Sequence, residues 1–213
     1  MKESLAFDRD QQGPTAESCR LAGMPLPDHF DLLAPLYDRL IRVDSEPSLG
    51  LHLNLPTEGW LLDAAGGTGR MAERLAGSVG GVIVLDASTP MLRQALSKGC
   101  CLAVAGTTER LPVANGSLAR ITLVDAYHHL ADQERSLAEL WRTLAPGGRL
   151  VIEEPDIRRL AVRIVALIEK LALMRSHFAS GDRMAADLRR LGAQVEVRAE
   201  NHTLYVVADK PAA

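Results

Sequence analysis

Short, almost uninterrupted apolar runs alternate with amphipathic stretches after Pro56. The apolar runs read WLLDA, GVIVLD, CLAVAG, ARITLVDA and GRLVIEEP. Strands that are covered by helices on both faces have this continuous apolar character, whereas strands with one wet face alternate between apolar and polar residues. The pattern therefore predicts a parallel sheet built from these five runs.

The stretches between these runs place their apolar residues at helical spacing. They read MAERLAGSV, PMLRQALSK and DQERSLAELWRTLA, and the last is expected to end where Pro146, Gly147 and Gly148 follow. Strand and helix thus alternate, which predicts right-handed βαβ crossovers.

The carboxyl-terminal part departs from this alternation. RMAADLRRLGA predicts a helix closed by Gly192, and QVEVRAE and TLYVVAD predict two strands joined at Asn201 and His202 as a hairpin. The expected fold class is α/β: a doubly wound seven-stranded sheet, mostly parallel with an antiparallel last strand, and helices on both faces.

The chain length favours one domain over two. A single domain is expected over residues 28–210, preceded by a flexible amino-terminal arm over 1–27, where glycines and prolines interrupt polar residues. HFDLLAPLYDRLIRV predicts a helical cap over 28–45, and IRRLAVRIVALIEKLALMRSHF predicts a helical insertion over 157–180 with an apolar stripe. That stripe either lines a ligand pocket or packs on the sheet.

Composition excludes several classes of protein. The formal net charge is −3 without a block of lysines and arginines, so a nucleic-acid partner is not expected. No apolar run is long enough for a transmembrane segment and the first residues do not resemble a secretory signal, so a cytoplasmic location is expected. Cys19, Cys100 and Cys101 are odd in number and form no CxxC pair, which argues against a disulfide framework and a structural zinc site.

The stretch LLDAAGGTGR, at the end of the first apolar run, contains the densest glycine cluster of the chain. Dinucleotide-binding loops have a further glycine three residues on, and none follows Gly67 or Gly69 at that distance. A phosphate-binding P-loop needs a lysine and a hydroxyl residue after the last glycine, where this chain has Arg70 and Met71. Of the ligands that a glycine-rich loop typically binds, the remaining candidate is a nucleoside with little negative charge.

A second acid supports a nucleoside site. Asp86 closes the second apolar run 23 positions after Asp63, near the spacing at which a carboxylate accepts hydrogen bonds from both hydroxyls of a ribose. The alternative is that Asp86 only caps the turn DASTP.

These motifs resemble those of the class I S-adenosylmethionine-dependent methyltransferases, and among them the ubiquinone and menaquinone C-methyltransferase branch (methyltransferase type 11). The resemblance runs from about residue 30 to residue 156 and rests on LLDAAGGTGR, VLDASTPMLRQA, GTTERLPVANGSLA, LWRTLAPGGRLVIEEP and HFDLLAPLYDRLI, in that family's order. It implies a Rossmann-like sheet, S-adenosylmethionine as cofactor, and methyl transfer to the carbon, oxygen or nitrogen of a small molecule.

The resemblance also implies a set of cofactor-binding residues. Gly67 and Gly69 would contact the methionine moiety, Asp63 would support the loop or bind the amino group, and Asp86 would bind the ribose. Where relatives carry an acid that accepts a hydrogen bond from the adenine amino group, this chain has Thr107. The full expected set is Tyr37, Asp63, Ala65, Gly66, Gly67, Gly69, Asp86, Ala87, Met91, Thr107, Thr108 and Asp125.

Methyl transfer requires alignment of the acceptor, exclusion of water and, for some acceptors, a base, but it requires no metal. Three residues after the fourth strand are the expected catalytic candidates: His128, His129 and Asp125. Each histidine could instead be structural, and Glu153 and Glu154 are expected to be helpers or loop anchors. Because the quinone branch has arginine and asparagine in place of the two histidines, its substrate is not carried over to this chain.

The expected partner is an apolar or aromatic small-molecule acceptor, with the 28–45 cap and the 157–180 insertion lining its pocket. Two alternative functions compete with this one. A short-chain oxidoreductase would have a Tyr-x-x-x-Lys pair after the fourth strand, and the chain has none. A catalytically silent regulatory or interaction protein that binds S-adenosylmethionine is compatible with the same motifs.

Overall fold

A computed structural model describes residues 48–156, 179–201 and 203–212. Three expectations lie outside the described residues: the arm over 1–27, the helical cap over 28–45 with Tyr37, and nearly all of the insertion over 157–180.

The described residues form one seven-stranded sheet with helices on both sides. In chain order the elements are α1 (Ser48–His52), β1 (Thr57–Ala64), α2 (Arg70–Leu75), a 3-10 turn (Ala76–Ser78), β2 (Val79–Asp86), α3 (Thr89–Ser97), β3 (Leu102–Ala105), β4 (Leu118–Val124), a second 3-10 turn (Tyr127–His129), α4 (Gln133–Thr143), β5 (Leu144–Pro155), α5 (Gly181–Arg190), β6 (Gln194–Glu200) and β7 (Thr203–Asp209).

The strand order is β3-β2-β1-β4-β5-β7-β6. Strands β1 to β5 pair in parallel, and β7 is antiparallel to both of its neighbours. This confirms the doubly wound α/β sheet and the carboxyl-terminal hairpin. The chain leaves β1 toward β2 on one side and returns at β4 on the other, so the crevice beyond the carboxyl ends of β1, β2 and β4 is where such a sheet binds a ligand.

Two apolar cores cover the two faces of the sheet. One lies under α1, α2 and α3 and contains Leu53, Leu61 and Val84, which are all fully buried. The other lies under α4 and α5 and contains Leu62 and Ile121, which are also fully buried. Because side chains alternate along a strand, the nearly continuous apolar runs supply both cores at once.

Helix α4 ends earlier than the sequence predicts. Asp132 caps its amino terminus by accepting a hydrogen bond from the Arg135 backbone N–H at 3.0 Å. The helix ends at Thr143, and Leu144 already has extended backbone and pairs with Leu118. The residue before a proline avoids helical backbone, and pairing with β4 begins before Pro146 is reached.

Two carboxyl groups are buried on the face of the sheet that α2 covers. Asp63 is 1% exposed and Glu153 is 3% exposed, and Asp63 Oδ2 and Glu153 Oε2 have no hydrogen-bond partner among the described residues. Burial raises the pKa of Asp63 to about 7, and the charge of Asp86 acts in the same direction. Burial, helped by the charge of Asp125, also raises the pKa of Glu153 to about 7. Each group therefore binds a proton more readily in the folded chain than in the unfolded one.

We predict that Glu153→Gln changes how stability depends on pH. Glu153 has its ordinary pKa of 4.5 when unfolded and about 7 when folded, so its contribution to the free energy of unfolding falls as pH rises between these values. The variant lacks this loss, and at pH 8 it should be more stable relative to the wild type than at pH 5, by about 2 kcal/mol. Urea unfolding at both pH values measures the difference. Glu58→Gln, at an exposed position of β1, is the matched control, and its free energy of unfolding should depend on pH as that of the wild type does. The prediction is contradicted if the free energies of Glu153→Gln and the wild type differ by the same amount at pH 5 and pH 8.

Candidate functional site

A cavity of about 460 Å³ lies at the carboxyl ends of β1, β2 and β4, where the fold predicts a ligand. Most of the residues expected from the sequence line its wall: Asp63, Ala65, Gly66, Gly67, Asp86, Ala87, Met91, Thr107, Thr108, Asp125 and His129. Gly69 and His128 lie outside this wall, and Tyr37 lies outside the described residues.

The glycine loop after β1 turns sharply because several of its residues have left-handed backbone. Ala65, Gly67 and Gly69 have φ angles of 51°, 54° and 72°. A Cβ added to Gly67 would lie 4.0 Å from Asp86 Oδ2 and 4.0 Å from Met91 Sδ, two atoms of the cavity wall. The α-carbon of Gly67 therefore faces the cavity, and the missing side chain leaves room for a ligand beside the backbone.

Gly69 faces the protein rather than the cavity. A Cβ added there would lie 3.0 Å from Ala95 Cβ, on helix α3. Close packing of the loop on α3 explains this glycine, and its contact with the methionine moiety stays a prediction.

Asp86 joins the two turns that follow β1 and β2. Its Oδ2 accepts a hydrogen bond from the Gly67 backbone N–H at 2.9 Å, and its Oδ1 accepts one from the Ser88 backbone N–H at 2.8 Å. The carboxylate thus caps the turn, as one interpretation of the sequence held, and it also lines the cavity as the ribose interpretation requires. Since each carboxylate oxygen has two lone pairs, the two roles are compatible.

The segment that follows β3 forms another part of the cavity wall. Gly106 N–H donates to the backbone oxygen of Asp86 at 3.0 Å, and Thr107 and Glu109 line the cavity. Thr108 is buried, with its hydroxyl 2.8 Å from that of Ser136 on α4. Glu109 was missed as a wall residue, although the motif GTTERLP placed it beside two residues that were expected there.

Arg142, on α4, holds the continuation of this segment. Its guanidinium donates to the backbone oxygens of Val113 at 2.9 Å and Leu111 at 3.1 Å. Glu139 pairs with Arg142 and accepts from the Leu111 N–H at 2.9 Å, which lowers the pKa of Glu139 despite its partial burial. The segment is therefore anchored to a helix although it has no regular structure of its own.

The end of β4 brings the three catalytic candidates into one short segment. Asp125 has a φ angle of 50°, unusual for a residue with a side chain, and its N–H donates to the Glu153 backbone oxygen at 2.9 Å. Asp125 and His129 line the cavity. His128 is 4% exposed and lies against Glu154, with His128 Nδ1 2.5 Å from Glu154 Oε2.

The two histidines therefore differ in environment although they are adjacent in sequence. Their rings are in contact, with centroids 4.0 Å apart and ring planes tilted by 48°. Glu154 is the loop anchor that the sequence suggested, because its Oε1 also accepts from the Tyr127 N–H at 2.8 Å.

The cavity suits a nucleoside with an amino acid moiety. It offers a bare α-carbon at Gly67, a carboxylate at Asp86, and a buried acid at Asp63 whose Oδ2 has no partner among the described residues. Within those residues no group of three or more histidines, cysteines or acids is arranged to hold a metal ion. None of the helices in the same part of the chain is long and apolar enough to cross a membrane.

Comparison with known proteins agrees with this geometry. Residues 62–152 match the model of a methyltransferase domain. A demethylmenaquinone methyltransferase from Lactiplantibacillus plantarum is 33% identical over 145 residues, which cover 59% of this chain and 60% of that protein. The chain thus matches less than two thirds of the length of this relative.

Two solved structures show the same fold. A chain of the complex between the Haloferax volcanii Trm112 methyltransferase activator and a methyltransferase has a TM-score of 0.74 at 18% identity, covering 88% of this chain and 100% of its own. An S-adenosylmethionine-dependent methyltransferase from Thermotoga maritima has a TM-score of 0.70 at 23% identity, covering 85% of this chain and 98% of its own. These two likenesses show the fold. The resemblance to the class I S-adenosylmethionine-dependent methyltransferases is confirmed by the match of residues 62–152 to the methyltransferase-domain model and by the similarity to the Lactiplantibacillus plantarum relative.

Proposed function

We propose that this protein transfers a methyl group from S-adenosylmethionine to a small apolar or aromatic acceptor. The observation that carries the proposal is the cavity at the switch point of the sheet, where Asp86 and the bare α-carbon of Gly67 face the same space. The net charge of −3 argues against a nucleic-acid acceptor. A cytoplasmic location is part of the same proposal.

The acceptor side of the cavity includes His129, Leu130 and Ala131, which gives an apolar wall beside one imidazole. This wall supports an apolar or aromatic acceptor. The relative from Lactiplantibacillus plantarum is named for demethylmenaquinone, so a reduced quinone belongs among the acceptors to be tested.

The described residues divide the work of the reaction. Gly67, Asp86 and Thr107 hold the cofactor, and His129 accepts a proton from the acceptor, with Asp125 as the other candidate base on the same wall. Held by Gly67, Asp86 and Thr107, S-adenosylmethionine would supply an electrophilic methyl group to the acceptor atom and would keep the electron pair of its broken carbon–sulfur bond. The acceptor proton leaves to the imidazole of His129.

Methyl transfer is tested directly with S-adenosylmethionine carrying a deuterated methyl group. The purified chain is incubated with a panel of reduced demethylmenaquinone, phenols, catechols and aromatic amines, and products are identified by mass spectrometry. A labelled product supports the proposal, and its methylated atom names the reaction. Micromolar cofactor binding without any labelled product across the panel would favour the catalytically silent binding protein instead.

Asp86→Ala is expected to weaken S-adenosylmethionine binding by about 2 to 3 kcal/mol, because it removes the ribose acceptor and the bond that positions the Gly67 N–H. Isothermal titration calorimetry gives the dissociation constant. Ser180→Ala is the control: it removes the α5 cap, whose hydroxyl accepts from the Arg183 N–H at 3.3 Å outside the cavity, and should cost stability but not affinity. An unchanged dissociation constant for Asp86→Ala would remove Asp86 from the site.

Gly67→Ala should abolish tight cofactor binding, because the new methyl group would project into the cavity beside Asp86 and Met91. The left-handed backbone adds a strain of about 1 kcal/mol, which any alanine at such a position shares. Gly99→Ala matches that strain, since Gly99 has a φ of 68° and nothing within 4 Å of the added Cβ. Both variants should lose similar stability in urea, and only Gly67→Ala should lose affinity. Equal affinities in calorimetry would place the ligand elsewhere.

His129→Asn should slow methyl transfer by about 100-fold while leaving the affinity for the cofactor unchanged. The wild-type rate should fall on the acid side of its pH profile, because a protonated imidazole cannot accept the acceptor proton. Single-turnover rates against pH, with saturating cofactor and the best acceptor of the panel, measure both effects. A flat profile from about pH 5.5 to 8, together with a wild-type rate in His129→Asn, would shift the base to Asp125 or exclude one.

A further inference from the structure

Behind the cavity wall at His129 lies a buried acid–imidazole pair. Glu154 and His128 are 3% and 4% exposed, and neither lines the cavity. Glu154 Oε2 lies 2.5 Å from His128 Nδ1, while Glu154 Oε1 accepts from the Tyr127 N–H. The Glu154 carboxylate thus binds the backbone of Tyr127 and the side chain of the next residue, His128.

These contacts fix the proton on the His128 ring. An ionised carboxylate only accepts hydrogen bonds, so Nδ1 of His128 must carry the proton in the Glu154 contact. Burial of a carboxylate is costly unless it is paired and hydrogen-bonded, and the Tyr127 N–H and the His128 ring provide this compensation. The orientation of the His128 ring is therefore set by strand β5.

The position of the His128 ring restricts the ring of His129. The rings of His128 and His129 are in contact at 4.0 Å between centroids, and the His129 N–H donates to the Ala126 oxygen at 3.0 Å. His129 is thus supported on one side by a ring that Glu154 holds, and through its backbone by the turn that Glu154 anchors at Tyr127. Active-site bases are commonly oriented by a further group, and here the group in contact with His129 is the His128 ring, which Glu154 holds.

The geometry points to Glu154 and His128 as positioning residues that hold His129 toward the acceptor. This inference rests on the proposed function, since it serves the same methyl transfer. His128 does not touch the reacting atoms; its role is to transmit the anchor of Glu154 to His129. The two histidines, which the sequence could not distinguish, therefore have different roles.

Glu154→Gln tests the anchor with little change in shape. The glutamine oxygen can still accept from the Tyr127 N–H, but its amide group presents a donor to His128 Nδ1, so the His128 proton moves to Nε2. We expect single-turnover methyl transfer to slow by about 10- to 100-fold, with cofactor affinity by calorimetry within twofold of wild type. Glu196→Gln makes the same chemical change on an exposed part of β6 and should keep the wild-type rate.

A double-mutant cycle separates positioning from general structural damage. If Glu154 acts through His129, Glu154→Gln should add no further loss of rate in the His129→Asn background. His128→Asn should slow the reaction less than His129→Asn. Multiplicative losses, a wild-type rate in Glu154→Gln, or a larger loss in His128→Asn than in His129→Asn would each overturn the inference.

Nitrogen-15 NMR of the histidine rings tests the contacts without an acceptor. In the wild type we expect a proton on His128 Nδ1, and nuclear Overhauser cross-peaks between the ring protons of His128 and His129. In Glu154→Gln the proton should appear on Nε2 and the cross-peaks should weaken. If the spectra of Glu154→Gln equal those of the wild type, the inference is overturned even if labelled product forms. If the spectra change as expected but no labelled product forms, the proposed methyl transfer is overturned instead.

Discussion

The shape of the cavity depends on the two hydrogen bonds that the Asp86 carboxylate accepts. The carboxylate accepts them from the backbones of Gly67 and Ser88, and thereby joins the turns that follow β1 and β2. Parallel pairing of β1 with β2 brings the two strand ends together, and the side chain fixes the distance between the turns. Without that bridge the glycine loop would be tied to β2 only through its backbone, by the bond from the Gly66 N–H to the Leu85 oxygen at 3.1 Å.

Irregular segments on the other sides of the cavity are held by the same kind of contact. Arg142 holds the segment after β3 from helix α4, and Glu154 holds the turn after β4 from strand β5. In both cases a charged side chain from a helix or strand binds backbone groups of a segment that connects two elements of the sheet. Asp125, whose backbone is left-handed, is held separately, because its N–H donates to the backbone oxygen of Glu153.

Local patterns predicted most of the fold and part of the site. The apolar runs, the glycine loop and the hairpin each follow from neighbouring residues, so the sequence indicates them directly. The early end of α4 at Thr143 and the separate environments of His128 and His129 depend on strand register and on contacts between distant residues. Asp86 illustrates both situations. Its distance along the sequence from Asp63 predicts a ribose-binding carboxylate, whereas its hydrogen bond with the Gly67 N–H could not be predicted from the sequence.

The two outer strands of the described sheet differ in how they discourage a further strand from pairing. Strand β3 has only the four residues Leu102–Ala105, so it offers few backbone groups even though Leu102 is 47% exposed. Strand β6 is longer, and its exposed positions include Glu196 and Arg198, which pair at 2.7 Å. A second molecule could add to β6 only by removing water from these charges, which disfavours aggregation through that edge.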